Sequence, residues 1–360
     1  MIRYLLQKLV YSLLTLWGVI TIVFFLFTVL PGDPARMMLD QKEDPEQLAI
    51  IRKNLGLDQP FWKQYTYYLN DLSPISLHQN KKNSTDYTAL NSGKYSYQTL
   101  LQLGNKSLVL KTPYLRTSFQ KQGKTVNSII AETLPNTIIL AIASIMIATI
   151  LGVGLGIIAA LYKDQWIDRV LLVVTSFGMS IPSFFSAILM AYIFAYLLHS
   201  ITGLNMIGSL YEVDDLGEGT HLVPKNLLLP ALTLGSRPLA VFCQLTRNSL
   251  LEVLNQDYIR TAYAKGLTKK MVIMKHAMQN AMNPVITAIS GWFASMLAGS
   301  VFVEFIFGWN GLGKEIVNAL NALDLPIVMG AVLTIAVMFI IINIVIDFIY
   351  GILDPRVRIN

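Results

Sequence analysis

Cysteine occurs once in this 360-residue chain, at Cys243, within an apolar run. A disulfide framework and a cysteine-based metal site are both excluded, and cysteine usage says nothing of redox compartment. Histidine is nearly as scarce. His78, His199, His221 and His276 are scattered, and the chain has neither HExxH nor GxSxG, so a metallohydrolase or serine-hydrolase reading has no motif behind it. Charge is the third shortage: Asp, Glu, Lys and Arg make up 14% of the residues, where soluble domains carry about 25%. With 54% hydrophobic residues and a mean hydropathy of +0.52, the chain is a membrane protein. Its net charge of +6 and pI of about 9.2 do not point to nucleic acid, because the basic residues sit in loops beside apolar runs. A nucleotide site is missing as well. Gly123-Lys124-Thr125 has the ending of a phosphate-binding loop, but Ser118 stands where the motif requires glycine, and no apolar strand precedes it.

Long apolar runs are what the chain does have. They lie at about 9–30, 134–161, 170–198, 227–245, 285–307 and 327–350, each long enough to cross a bilayer as a helix. The expected fold is therefore all-α and polytopic, with six transmembrane helices. The first run exceeds a signal-peptide core and ends in Leu30-Pro31-Gly32-Asp33-Pro34, so it reads as an uncleaved anchor. Gly152, Gly154 and Gly156 in the second run suggest close helix packing rather than a dinucleotide loop.

Residues 31–128 form the only long polar segment. It opens with a helix expected over Pro45–Leu55 and ending at Gly56, followed by aromatics at Phe61, Trp62, Tyr65, Tyr67 and Tyr68. Composition does not decide between strands and disorder for about 73–112. With a cytoplasmic amino terminus, twelve lysines and arginines against five acids fall on the inner side, which places both termini and the loop 246–284 in the cytoplasm and the polar segment outside. The expected divisions are thus 1–30, 31–128 and a five-helix core, 129–360.

Ionisable groups inside spans are costly and mark candidate sites. Arg237, beside Pro238, lies near the middle of the fourth span and lines a water-filled path or meets a structural partner. Glu304 and Asp347 lie nearer span ends, where the same two readings stand.

The loop carries a basic amphipathic island, NQDYIRTAYAKGLTKKMVIMKHAMQNAMNP, from Asn255 to Pro284. Asp257 to Lys265 reads as a short helix with Tyr258, Ile259, Ala262 and Tyr263 at helical spacing. Gly266 stops it through a left-handed turn, and Thr268 caps a second helix. The pattern suits an anionic lipid surface or a protein partner equally.

Asp257-Tyr258-Ile259-Arg260-Thr261-Ala262, Ala264-Lys265-Gly266-Leu267-Thr268, His276-Ala277 and Asn280-Ala281 resemble the signature loop of permease subunits of ABC-type importers, in the dipeptide, oligopeptide and nickel branch. Leu30–Pro34, Leu55-Gly56-Leu57-Asp58, Leu134-Pro135-Asn136-Thr137, Leu245-Thr246-Arg247, Gly311-Leu312-Gly313 and Asp354-Pro355-Arg356 extend the resemblance over nearly the whole chain. It implies a type I importer permease fold in a plasma or bacterial inner membrane. The coupling residues would be Asp257, Tyr258, Arg260, Thr261, Ala262, Ala264, Lys265, Gly266 and Leu267, with small Ala262 and Ala264 allowing close approach to a separate ATPase. It also implies a second permease in a heterodimer, two ATP-binding cassette subunits holding ATP and Mg, and an extracytoplasmic solute-binding protein. No cofactor is expected on this chain. Tyr263, Gln279, Asn283, Asn310 and Arg237 depart from the family pattern, as does the insert at about 73–112. The rival classes are a self-sufficient secondary transporter, which needs midplane carboxylates and repeated halves, and a membrane-embedded enzyme.

Overall fold

The structure, a computed structural model, describes residues 2–29, 45–54, 56–79, 87–90, 94–121, 123–214, 217 and 219–353. The motifs at Leu30–Pro34 and Asp354–Arg356, Leu55 and the side chain of Asp347 lie outside that description. In chain order the elements are α1 (Ile2–Val29), α2 (Pro45–Asn54), α3 (Phe61–Leu72), β1 (Ile75–Gln79), β2 (Tyr97–Leu103), β3 (Lys106–Lys111), α4 (Val126–Leu161) and α5 (Trp166–Ser180). There follow α6 (Ser183–Met190, continued as a π-helix over Ala191–Leu197), β4 (Tyr211–Val213), β5 (Thr220–Leu222), α7 (Lys225–Leu254), α8 (Asp257–Ala264), α9 (Lys269–Ala281), α10 (Asn283–Gly299), α11 (Val301–Phe307), α12 (Leu312–Asn321) and α13 (Leu325–Leu353).

Among the described residues four helices, α1, α4, α7 and α13, are long and apolar enough to span a bilayer, and by length and composition alone the count reaches six when two bent pairs, α5 with α6 and α9 with α10, each count as one. The third expected span, 170–198, is not one straight helix. Its halves, α5 and α6 with its π-helical continuation, meet at 112°. Pro182 is the cause: it pushes Ile181 out of the helical region, to φ −80° and ψ 133°, and cannot donate its own backbone hydrogen bond. The fifth expected span, 285–307, is divided at Ser300 into α10 and α11.

The chain forms two compact units, one of residues 1–132 with 318–337 and one of 133–317 with 338–358. In the first, α1 and α3 meet through Phe24, which lies 5.2–5.4 Å ring to ring from Phe61, Tyr65 and Tyr68, and through a 2.7 Å hydrogen bond between Thr21 and Tyr65. Within the insert, β1, β2 and β3 form an antiparallel sheet in the order β1-β3-β2. Its inner face is mostly polar: Ser76, His78, Ser107 and Lys111 are buried there with Val109, while Ile75 and Leu77 are 56% and 50% exposed. Buried Asp71 organises that inner face. It accepts hydroxyl hydrogens from Tyr87 at 2.5 Å and Tyr95 at 2.7 Å, with the Lys94 ammonium 3.5 Å away and stacked on the Tyr87 ring.

In the second unit α4 lies directly against α7. A Cβ on Gly152 would stand 2.8 Å from the Leu239 carbonyl oxygen, and one on Gly156 would stand 2.6 Å from the Cys243 carbonyl oxygen and from Thr246. Gly154 has open space, because spacing of four, not two, keeps residues on one helix face. A latch joins the start of α4 to the loop before α12. Asn136 donates to the Asn310 carbonyl at 2.7 Å, the Trp309 indole donates to the Asn136 carbonyl at 3.0 Å, and Leu312 N–H donates to Thr137 Oγ1 at 2.8 Å. Two motifs some distance apart in sequence are thus one structural joint.

Candidate functional site

The loop after α7 folds as the two short helices α8 and α9. Gly266 has φ +78° and closes α8 by a double turn: its own N–H donates to the Tyr263 carbonyl at 2.9 Å, and Leu267 N–H reaches back to the Ala262 carbonyl at 3.4 Å. This pairing satisfies the last carbonyls of α8 and requires a left-handed residue at 266. Thr268 then accepts from Met271 N–H at 3.4 Å and caps α9, whose middle, Val272–Ala277, is π-helical.

The two helices rest on an apolar floor. Ile259 and Ala262 of α8 and Val272, Ile273 and Ala277 of α9 are buried against Leu250 of α7 and Ala160 of α4. Full burial of side chains such as Ile259 and Val272 contributes roughly 1.5–3 kcal/mol each. Ala262 therefore does not belong to the outward face. Its small side chain allows α8 to approach its own chain. The outward face carries Asp257, Tyr258, Arg260, Thr261, Tyr263, Ala264 and Lys265, joined by Lys270, Met271, Met274 and Lys275. Tyr258 is fixed by a 2.8 Å hydrogen bond from Asn280 of α9. Asp257 and Arg260, 3.5 Å apart and almost fully exposed, add little stability.

Below the floor, Arg247 of α7 grips Asp168 of α5 through two hydrogen bonds of 2.6 Å, from Nε and Nη2. Asp168 also accepts from the backbone N–H of Asp164 at 3.0 Å. In the sequence Arg247 stands in the Leu245-Thr246-Arg247 motif and among the loop cations, but its partner 79 positions away has no local signal.

The candidate path residues separate. Glu304 is fully buried, and its Oε2 accepts from the N–H of Gly313 at 2.7 Å and of Lys314 at 3.3 Å, capping α12. Of the two readings held for Glu304, the structural partner is the one this geometry supports. The glycines of Gly311-Leu312-Gly313 make room for it, since a Cβ at either position would stand under 3.0 Å from that carboxylate. Arg237 is instead exposed on α7.

The loop that ends in Gly123-Lys124-Thr125 is occupied by its own chain. Asp324 accepts the Ser118 hydroxyl and the N–H groups of Phe119 and Gln120 at 3.1 Å, while Lys124 pairs with Glu132 at 3.0 Å. The amides and the lysine that a phosphate would need have carboxylate partners.

The chain thus combines helical spans with an exposed two-helix knob that carries both signs of charge. The chain belongs to the family described as binding-protein-dependent transport system inner membrane component, whose model matches residues 152–359 and whose N-terminal counterpart matches residues 1–100. It is a permease subunit of ABC importer type, a transport component and not an enzyme. The dipeptide transport system permease protein of Alkalihalophilus pseudofirmus is 30% identical, with 99% of this chain and 100% of that one covered. The glutathione transport system permease protein of Escherichia coli K12 is 31% identical, with 99% of each covered. A chain of the MetNI methionine ABC transporter, solved in inward facing conformations, is 16% identical with a TM-score of 0.47, covering 62% of this chain and 95% of that one.

Proposed function

We propose that the chain is one half of a heterodimeric pore that imports di- or oligopeptides, delivered by an extracytoplasmic binding protein and driven by two ATP-hydrolysing subunits that carry the nucleotide and Mg. The peptide assignment follows the two relatives named above, one a dipeptide and the other a glutathione permease. Both termini and the α8–α9 knob face the cytoplasm in this reading, and the segment 31–128 faces outward.

The observation that carries the coupling role is the direction of the apolar residues in the knob. An interfacial helix on lipid needs its apolar face free to enter the bilayer. Here Ile259 and Ala262 are spent on the chain's own floor, and the outward face of α8 is polar, aromatic and of mixed charge. Such a face on a rigid base suits a polar cleft of a protein. Asp257, Tyr258, Arg260, Thr261, Ala264 and Lys265 make the contact, Gly266 and Leu267 set its shape, and Ala262 seats it.

Reconstitution tests the whole reading. Proteoliposomes with both permeases, the ATPase subunits and the binding protein take up labelled dipeptide only with ATP inside the catalytic compartment, and omission of the ATPase abolishes uptake. Uptake driven by a proton or sodium gradient without the ATPase would establish a secondary transporter instead.

A further inference from the structure

Arg237 stands at a level of the second unit where Pro238 of α7 and the bend after α5 come together. It lies mid-way along α7, a helix that contains both Pro230 and Pro238. Pro238 has no N–H to give to the Leu234 carbonyl, so one backbone acceptor there lacks its helical partner. The neighbouring span breaks at the same level: a Cβ on Gly178 of α5 would stand 3.3 Å from the carbonyl oxygen of Ser236, and α5 ends two residues later, at Ser180, in the 112° bend. Irregular backbone at membrane depth is tolerated where it lines a cavity or is buried in protein.

Arg237 itself is exposed and makes no hydrogen bond or ion pair among the described residues. An always-charged guanidinium left to face lipid at mid-span is strongly unfavourable, so its partner comes from outside this chain or through water. On the same face of α7, Gln244, seven positions on and half-buried, bonds across to Ser176 of α5 at 3.3 Å, so a second polar group lies between the two helices toward the inner end of the span.

We propose that Arg237 is the binding residue for a carboxylate carried by the solute in transit, which for a peptide is its C-terminal α-carboxylate. This deepens the peptide-import reading and rests on it. A planar guanidinium offers two parallel N–H donors to a carboxylate, an arrangement a lysine ammonium reproduces poorly and a C-terminal amide cannot accept.

The test uses the complete reconstituted transporter, at saturating binding protein so that delivery is not limiting, with one labelled dipeptide as free acid and as C-terminal amide. Wild type takes up the free acid faster. Arg237→Gln lowers free-acid uptake by roughly tenfold or more, leaves amide uptake unchanged, and so removes the preference, while Arg237→Lys keeps part of it. Co-purification of the second permease is unchanged in both variants. Equal loss for acid and amide, or an undiminished preference in Arg237→Gln, overturns the inference alone. Loss of the second permease in Arg237→Gln would instead assign the guanidinium to an acid of that subunit. If wild type takes up neither form, it is the peptide reading that fails.

Discussion

Replacing Gly266 with valine isolates the turn between α8 and α9 from everything else in the loop. Nothing lies within 4 Å of a Cβ built at Gly266, so the substitution meets no neighbour; its cost is purely that of holding a β-branched residue at φ +78°. That cost is on the order of 1–3 kcal/mol. If the turn relaxes to avoid it, the bonds from Gly266 to Tyr263 and from Leu267 to Ala262 are lost, and Arg260 and Lys265 leave their register. Docking in the native shape then weakens by roughly 5- to 150-fold. The spans do not depend on this turn, so insertion and pairing with the second permease persist. Because the cost is conformational, the side chains rank in a definite order: valine is worst, alanine intermediate, and asparagine, which tolerates the left-handed region, near wild type. Co-purification of the ATPase at matched permease levels reads this order directly. Normal ATPase recovery with Gly266→Val, or a loss with Asn equal to that with Val, would refute the reasoning.

Helix packing, pH and topology supply three further tests. Gly156→Leu drives α4 away from α7 and lowers thermal stability in detergent by at least the 1–3 kcal/mol typical of overpacking, whereas Gly154→Leu, with open space around it, stays within about 0.5 kcal/mol. His78 is held down to about 4 by burial, and nearby Lys111 adds to the effect. The unfolded histidine takes up a proton below 6.5 but the folded one only near 4, so stability of the β1–β3 segment is intact above 6.5 and falls by about 3 kcal/mol as pH drops to 4. Hydrogen exchange of that segment at pH 7 and 4.5 measures it, and His78→Gln flattens the dependence; a flat wild-type profile would contradict the burial argument. In a Cys243→Ser background, a cysteine at Lys106 reacts with an impermeant thiol reagent on intact cells and one at Lys270 only after permeabilisation. Equal labelling at both from outside would reverse the orientation.

Residue pattern alone made the spans legible, because long apolar runs permit little but helices in a bilayer. It also reached Gly266 and Thr268, whose roles are local: a helix stop and a helix cap are written in the residues that perform them. What escaped was set by distant partners. The break at Pro182 was readable in principle from its effect on Ile181, yet the apolar runs on both sides read together as one span. The sheet of the insert could not be read because its alternation is reversed, with Ser76 and His78 inward on the Asp71 cluster and Ile75 and Leu77 outward. Glu304 sits near a span end like any candidate path residue; only Gly313 and Lys314, brought to it by the fold, make it a cap. A stripe at helical spacing that includes Ile259 and Ala262 identifies one face of α8 but not what that face meets; the fold seats it on the chain's own floor.

The central claim is that the α8–α9 knob meets the ATPase through its outward face. A photo-activatable residue at Lys265, in the assembled transporter in native membrane, tests it most directly, with the same residue at Leu250, buried in the floor, as the control. The account predicts a crosslink from position 265 to an ATP-binding subunit, and none to it from position 250. Crosslinking from position 265 to lipid alone would contradict it.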